Sequence, residues 1–314
     1  MQASKNNSAN QQLLWGLDLG GTKIEGVVLN PSNNKILFRD RIPTGASEGY
    51  EHVLSQIVFL VNKMSDELSK SPLHIGIGTP GIIDPKTAKL KNSSNAVCLN
   101  GKPIKADLER RLNVKVEMAN DAHCFALAET RHGVVRKQYL DASVVFGVIM
   151  GTGVGGGIVV NNQLIRGLHG ISGEWGHNFL DESGYECFCG TQGCVEKVIS
   201  GTALEKFYEE QKGEHRSLKE IVSRAENGDD SIARKTIDRL VHFFGKAMAV
   251  IVNVLDPDVI VLGGGVSNID RIYTDGRSQI EEHIFNDHFN TPVLKPKLGD
   301  AAGVIGAAYL TSLT

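Results

Sequence analysis

The chain has 314 residues, of which 41% are hydrophobic and 22% charged, and its formal net charge is −3. This length allows two lobes with a core each, and the composition is ordinary for a soluble globular protein. No block of Lys and Arg marks a phosphate-backbone binder, and no run of about eighteen apolar residues marks a membrane span. We therefore expect no nucleic-acid partner, no membrane association and a cytoplasmic location.

Strand and helix patterns alternate along the first half of the chain. The polar residues 1–12 lack an apolar stretch, which predicts a disordered tail rather than a signal peptide. Apolar runs predict strands at 13–19, 24–30, 35–40, 73–77 and 114–118. Helical spacing of apolar residues predicts helices at 51–69, 104–112 and 121–132, with Gly133 as the C-terminal stop of the last one.

The second half continues the alternation. We predict strands at 143–150, 155–160 and 258–262, and helices at 201–212, 217–227, 230–254 and 303–312. Strands alternating with helices indicate an α/β fold in which helices cover the sheets.

The two halves share an internal repeat. Residues 13–30 align without a gap on residues 144–161, and Gly16, Gly20, Gly26 and Asn30 fall on Gly147, Gly151, Gly157 and Asn161. Each copy reads as strand, glycine turn, strand. Two unrelated hairpins are the alternative, because glycine is common at tight turns. Four identities at a constant offset favour a true repeat.

The glycine turns predict a clamp for a polyphosphate, with one turn in each lobe. Backbone N–H groups at glycine can approach an anion closely because no Cβ intervenes. Only the first copy carries Asp18 and Lys23, whose counterparts in this alignment are Ile149 and Val154. Asp18 is a candidate Mg²⁺ ligand, and Thr22 or Lys23 a candidate phosphate contact. The GxGxxG at 151–156 lies between two predicted strands, which argues against a Rossmann dinucleotide site.

Three of the five cysteines lie within eight residues of one another, at Cys187, Cys189 and Cys194, and His177 lies ten residues before the first of them. Three Cys and one His meet the four-coordinate demand of structural zinc. Redox-active or coincidental cysteines are the alternative. The sequence does not fit a C2H2 zinc finger, because it has no second His at the required spacing and no basic helix.

Asp121 is the candidate general base. It follows a predicted strand at the start of a helix, which is where α/β proteins place ligands. In phosphoryl transfer to a hydroxyl, a carboxylate within hydrogen-bond reach can accept the hydroxyl proton. The alternative is that Asn120 or Asp121 serves only as a helix N-cap.

Three segments together resemble the ROK family (repressor, open reading frame, kinase). Residues 18–23 resemble its DxGGTK motif, and residues 151–157 resemble its second glycine-rich motif. The family's GExGH and CxCGxxGCxE motifs match without departure at Gly173, Glu174, Gly176, His177, Cys187, Cys189, Gly190, Gly193, Cys194 and Glu196. Asn120-Asp121-Ala122 matches its NDA segment, and the resemblance runs from about Leu13 to the C-terminus.

The resemblance implies a two-lobed sugar-kinase/actin-like fold, of the duplicated ribonuclease H-like type, with a zinc-binding loop. The implied lobes are 13–119 with 301–314, and 120–300. The implied sugar ligands are Gly81, Asn120, Asp121, Glu174, His177 and Glu196. Asn95, Asn100 and Gly101 lie in the polar stretch 91–101, which either contacts the sugar or is an ordinary surface loop. The implied phosphate ligands are Asp18, Gly20, Gly21, Thr22, Lys23, Gly151, Thr152 and Gly153, with Gly263, Gly264 and Gly265 on the adenosine side.

The implied activity is ATP-dependent phosphorylation of a hexose at its 6-hydroxyl, with Mg²⁺, structural Zn²⁺ and a homodimeric assembly. LNGKP, the Trp175 variant of GExGH and the segment 252–268 look most similar to fructokinases and mannokinases of the family. N-acetylglucosamine, N-acetylmannosamine and glucose kinases are the alternatives. A sugar-responsive repressor would need a DNA-binding domain before Asp18, and the sequence offers about a dozen polar residues there. A sugar sensor without that domain, and an actin-like ATPase, are the other classes considered.

Overall fold

The computed structural model describes residues 12–93, 95–228 and 230–312. The prediction for the N-terminal tail therefore lies outside the described residues, except for Gln12. The chain forms two compact units. Unit 1 comprises the chain up to Cys124, residues 168–170 and residues 300–314; unit 2 comprises residues 125–167 and 171–299. This division falls five residues after the predicted boundary at 119/120, within a helix rather than before it.

Unit 1 is built on a five-stranded sheet. Its strands are β1 (Leu14–Leu19), β2 (Lys23–Asn30), β3 (Lys35–Pro43), β4 (His74–Thr79) and, after the short strands β5 (Ile82–Ile83) and β6 (Leu90–Lys91), β7 (Lys115–Asn120). The sheet order is β3-β2-β1-β4-β7, and β5 pairs with β6 in a separate ribbon. Strands β1, β4 and β7 run parallel, whereas β2 and β3 are antiparallel to their neighbours.

Helices cover both faces of this sheet. The helices of unit 1 are α1 (Tyr50–Leu68), α2 (Ile104–Leu112), the start of α3 (Asp121–Arg131) and α10 (Ala302–Leu310). The buried residues of α1, Val53, Leu54, Ile57, Leu60, Val61 and Met64, recur every three or four positions and form its core-facing stripe. Helix α10 packs so tightly that a Cβ on Gly16 would lie 2.4 Å from the backbone nitrogen of Ala308.

Unit 2 repeats the sheet plan of unit 1. Its strands are β8 (Val144–Met150), β9 (Val154–Val160), β10 (Gln163–Ile165), β11 (Val259–Gly263) and β12 (Val293–Leu294). The order β10-β9-β8-β11-β12 has the same pattern of antiparallel and parallel neighbours as the sheet of unit 1. The predicted repeat is therefore a repeat of topology.

The helices of unit 2 surround a second core. They are the remainder of α3, α4 (Val134–Gln138), α5 (Glu196–Ile199), α6 (Gly201–Lys212), α7 (Leu218–Asn227), α8 (Ser231–Leu255) and α9 (Asp275–His283). The predicted strands and helices are present, within a few residues of their predicted bounds. Seven short elements of two to nine residues each were not predicted from the sequence: α4, α5, α9, β5, β6, β10 and β12.

Two details of the prediction were wrong. The second glycine turn is one residue shorter than the first, because Leu19 pairs with Ile24 whereas Met150 pairs with Val154. The ungapped alignment therefore fails after the turn, and Gly26 corresponds to Gly156 rather than Gly157.

The role predicted for Gly133 also needs correction. Helix α3 ends before it, but Gly133 has φ −91° instead of the left-handed conformation of a typical glycine stop. Glycine is required there for another reason, since a Cβ would lie 2.0 Å from the Glu129 carboxylate.

Candidate functional site

The carboxyl ends of β1, β4 and β7 bring the predicted residues of unit 1 to one edge of the sheet. Asp18 pairs with Gly78, and Thr79 pairs with Asn120, in consecutive parallel registers. Asp121 follows directly as the first residue of α3. Ligands bind at this edge in α/β sheets, so the geometry supports a site here.

Asn120, not Asp121, caps helix α3 through its side chain. The Asn120 Oδ1 accepts a hydrogen bond from the backbone N–H of His123 at 2.7 Å, which is the ordinary N-cap contact. The Asp121 carboxylate accepts a hydrogen bond from the next N–H, that of Ala122, at 2.8 Å. It is accessible to solvent, yet the surrounding protein desolvates it enough to raise its pKa. An accessible carboxylate with a raised pKa suits a general base.

Asp18 lies beside Asp121 in a field of opposing charges. Burial raises the pKa of Asp18 to about 6, the Asp121 and Glu25 carboxylates add to the increase, and Lys23 and Arg41 oppose it. Glu25 is itself buried and pairs with Arg41, whose Nε lies 2.7 Å from its Oε2, and with Arg39. Helix α10 also approaches, because a Cβ on Gly303 would lie 2.9 Å from the Asp18 carboxylate. Glu25, Arg39 and Arg41 were not among the predicted site residues, although alternation on β2 and β3 places them on one face of the sheet.

The first glycine turn is held by Thr44. Within the turn, the Gly20 N–H donates to the Lys23 carbonyl at 2.9 Å. The buried Thr44 makes two further bonds: its Oγ1 donates to the Gly20 carbonyl at 2.7 Å, and its N–H donates to the Thr22 carbonyl at 3.0 Å. Gly21 abuts the predicted sugar loop, since its Cβ would lie 2.2 Å from the Asn95 carbonyl oxygen. The first glycine turn and Asn95 are therefore neighbours.

The other predicted sugar-side residues of unit 1 are in loops. The Asn100 amide pairs with both backbone groups of Ser93 at 2.9 Å, so this side chain holds the loop that carries Asn95. Gly81 approaches the Lys91 carbonyl, which a Cβ would meet at 2.5 Å, and Gly101 has φ +76° with open space around it. Their contacts with a sugar stay predictions.

The second glycine turn and the glycine run after β11 lie together in unit 2. Gly263 pairs with Ile149, and a Cβ on Gly264 would lie 2.3 Å from the Met150 carbonyl oxygen, immediately before the turn 151–153. A Cβ added to Gly151 would lie 3.9 Å from the backbone nitrogen of Gly265. The glycines of both segments carry no Cβ, which leaves room for a ligand against their backbones.

His177, Cys187, Cys189 and Cys194 converge as predicted, with all four ligand atoms within 4.8 Å of one another. The Cys187 Sγ lies 3.5 Å from the His177 Nδ1, and the Cys189 and Cys194 Sγ atoms are 3.5 Å apart. Four ligands around a tetrahedral zinc ion with Zn–S bonds of about 2.3 Å would be about 3.8 Å apart, so the residues fit this metal.

The thiols differ in acidity. Hydrogen bonds from Thr191 lower the pKa of Cys189 to about 6, whereas burial raises the pKa of Cys187 to about 11. A bound cation would favour the thiolate form of both. The exposed Phe188 meets His177 edge to face, with 4.9 Å between the two ring centroids.

The two predicted glutamates near the cluster differ in their surroundings. Glu174 precedes a short 3-10 turn, Trp175–His177, which Trp175 anchors by donating from Nε1 to the Gly155 carbonyl at 3.0 Å. Glu196 contacts the second glycine turn, since its Oε2 accepts from the Val154 N–H at 3.1 Å. That contact was not predicted from the sequence.

These features are those of a sugar kinase of the two-unit α/β type: a glycine turn in each unit, an accessible carboxylate at the carboxyl edge of the unit 1 sheet, and a Cys/His cluster. The ROK family model matches residues 14–313, and the chain belongs to the ROK family. It is 36% identical to an N-acetyl-D-glucosamine kinase of Haemophilus influenzae over 95% of this chain and 99% of that protein. The predicted class, a sugar kinase and hence a phosphotransferase, is confirmed.

Solved structures agree with this family. A ROK hexokinase from Thermus thermophilus superimposes with a TM-score of 0.87 at 29% identity, covering 95% of this chain and 97% of that one. A ROK glucokinase from Streptomyces griseus, solved with glucose and AMPPNP, gives 0.75 at 29% identity, covering 95% and 98%. The predicted α/β fold class is thus confirmed. None of the described helices combines the length and apolar character that crossing a bilayer requires.

Proposed function

We propose that the protein transfers the γ-phosphate of ATP to the primary hydroxyl of a hexose, with Asp121 as the general base. The observation that carries this proposal is the accessible Asp121 carboxylate at the carboxyl end of β7, beside Asp18 and the first glycine turn. Asp121 accepts the proton of the sugar hydroxyl while the hydroxyl oxygen attacks the γ-phosphate. The leaving group is ADP, and base catalysis of this kind contributes about 10²–10⁴-fold.

Asp18 and the glycine turns serve the nucleotide. The carboxylate of Asp18, in the negative field of Asp121 and Glu25, suits a Mg²⁺ ion held directly or through water. When bound, Mg²⁺ would supply charge neutralisation at the phosphates. The backbones of Gly20–Lys23 and Gly151–Gly153 would receive phosphate oxygens, and Gly263–Gly265 the adenosine.

The Cys/His cluster would hold zinc in a structural role. All four positions are protein ligands, which leaves no open position for catalysis. Metal binding through His177 Nδ1 would fix the ring and direct its other edge, together with Glu174, toward a sugar.

The sugar is the finer part of the proposal. The similarity to curated relatives called N-acetyl-D-glucosamine kinases, at 33–36% identity, favours N-acetylglucosamine. Trp175 and the LNGKP stretch favour fructose or mannose, the main sequence-based prediction. We place N-acetylglucosamine first, because the relatives match over nearly their full length. The homodimer and the cytoplasmic location stay predictions.

The test is ADP production by purified protein with MgATP and fructose, mannose, glucose, N-acetylglucosamine or N-acetylmannosamine. The substrate is the sugar whose kcat/KM is at least about tenfold above those of the others. Differences of about 1–3 kcal/mol in transition-state binding separate such analogues. ADP production that does not rise with any of the sugars would contradict the proposed hexose transfer.

A further inference from the structure

The segment that follows the last cysteine of the cluster supports the second glycine turn. We call residues 194–202 the supporting segment. Glu196 lies in this segment, two residues after Cys194, and its Oε2 accepts from the Val154 N–H at 3.1 Å. Val154 is the first residue after the turn 151–153, so this bond fixes the end of the turn.

The same segment holds the beginning and the middle of the turn. The Gly201 N–H donates to the Gly151 carbonyl at 2.7 Å, and the Thr202 Oγ1 donates to the Thr152 carbonyl at 3.0 Å. Gly153 leaves room for the carboxylate, since a Cβ there would lie 2.6 Å from the Glu196 Oε2. Three bonds from one short segment therefore fix three successive parts of the turn.

The other end of the supporting segment is fixed at the Cys/His cluster. Cys194 is fully buried, and its Sγ lies 3.5 Å from that of Cys189. Helix α5 connects Cys194 to Ser200, whose side chain caps α6 by accepting from the Ala203 N–H. A displacement of Cys194 would thus be transmitted over a few residues to Glu196, Gly201 and Thr202.

We propose that Glu196 is a positioning residue for the nucleotide, and that the metal cluster sustains nucleotide affinity through the supporting segment. This inference rests on the proposed function, which places ATP phosphates at the second turn. It gives Glu196 a role that does not require the sugar. Its consequence is that loss of the Glu196 bond, or of the metal, weakens nucleotide binding even when no sugar is present.

The experiment is calorimetric titration of the protein with MgAMPPNP in the absence of sugar. Glu196→Ala removes the acceptor for the Val154 N–H, and we expect Kd to rise about 3- to 10-fold, the range that one hydrogen bond controls. Glu196→Gln keeps an acceptor oxygen and should stay within about 2-fold of the unaltered protein. Thr202→Val, which removes the bond to Thr152, should also raise Kd.

Glu182→Gln is the matched control, because Glu182 is an exposed carboxylate of the cysteine loop away from the turn. Its Kd should equal that of the unaltered protein. Far-UV circular dichroism of each variant checks that it is folded. Equal Kd values for Glu196→Ala and the unaltered protein would overturn the inference, and so would an equal rise for Glu196→Gln and Glu196→Ala.

A second arm tests the link to the metal. Metal content is measured, the metal is removed with a chelator, and the titration is repeated on folded protein. We expect weaker nucleotide binding after removal, and in treated Glu196→Ala a combined loss smaller than the sum of the two separate losses, because both changes affect the Glu196 contact. Additive losses would overturn the link. If the unaltered, metal-loaded protein bound no MgAMPPNP, the proposed function itself would fail.

Discussion

The charge of Asp121 acts on Asp18 across the carboxyl edge of the unit 1 sheet. Burial is the largest cause of the raised pKa of Asp18, about 6, and Asp121 is the next. Lys23 and Arg41 limit the increase. The two acids therefore titrate closer to neutrality than ordinary aspartates, which makes their ionisation sensitive to pH, to substitution and to a bound cation.

Replacement of the base tests its assignment directly. In Asp121→Asn the amide cannot accept the hydroxyl proton, so we expect kcat to fall about 10²–10⁴-fold with sugar Kd changed by less than about 3-fold. ADP release gives the rate and calorimetry gives the affinity. Asp141→Asn, at an exposed position, is the control and should be unaffected. A kcat within about 3-fold of the unaltered enzyme would remove Asp121 from the mechanism.

The pH dependence follows from the same two carboxylates. Both must be ionised, Asp121 to accept a proton and Asp18 to favour a cation, and the pKa of each is raised. The pKa of Asp18 is about 6 and that of Asp121 is raised by burial, so we expect kcat/KM to fall as pH decreases from 8 to 5. Initial rates between pH 5 and 8 at saturating Mg²⁺ measure the acid limb. A flat profile over this range would show that neither carboxylate limits the reaction.

We expect the charged Asp18 carboxylate to lower the free energy of unfolding at neutral pH, although the proposed function needs that charge. Its folded pKa is about 6 against 3.8 for the free group, so the folded state binds more protons between these values. The free energy of unfolding therefore decreases as pH rises from about 4 to 6. Asp18→Asn carries no charge to desolvate, and we expect it to stabilise the protein by about 1–2 kcal/mol at pH 7 while activity is lost.

Thermal unfolding at two pH values checks this expectation. The stabilisation should be present at pH 7 and should vanish near pH 4, where Asp18 is protonated in the folded state. Asp141→Asn serves as the control for a general effect of removing a carboxylate. A lower melting temperature for Asp18→Asn at pH 7 would show that its ion interactions with Lys23 and Arg41 outweigh burial.

Local sequence patterns predicted the parts of the fold that depend on local chemistry. Buried apolar stripes, such as that of α1, and glycine turns after apolar strands identify elements without reference to the rest of the chain. Helix α5, with four residues, and strand β12, with two, carry too few residues for a periodic signal. The shorter second turn was missed because glycine identities on either side of it align equally well with or without a gap.

In the candidate site, too, only the features that depend on local sequence could be predicted. The Cys/His ligands were predictable because their spacing is dictated by one ion. The bond between Glu196 and Val154 joins residues 42 positions apart and carries no local pattern. The ion pairs of Glu25 with Arg39 and Arg41 depend on strand register, which a single sequence fixes poorly.

Removal of one thiol tests the metal cluster. We expect Cys189→Ser to lose about 10-fold or more of its zinc occupancy, because a serine hydroxyl is a far weaker zinc ligand than a thiolate. Cys98→Ser is the control, since Cys98 lies outside the cluster and should keep the full metal content. Plasma mass spectrometry of dialysed protein measures the occupancy. Equal zinc in both variants, or none in the unaltered protein, would contradict a zinc centre at these residues.

The close packing of α10 on the unit 1 sheet should make Gly76 intolerant of any side chain. An added Cβ would lie 1.7 Å from the Ala307 carbonyl oxygen, a backbone atom that moves only if the whole helix moves. We expect Gly76→Ala to destabilise the protein by about 2–4 kcal/mol, measured from denaturant midpoints. Gly265→Ala is the matched control, because a Cβ there meets nothing within 4 Å, and its cost should stay below about 0.5 kcal/mol. A cost for Gly76→Ala no larger than for Gly265→Ala would mean that α10 can shift away from β4, and the Gly303 approach to Asp18 would then be adjustable as well.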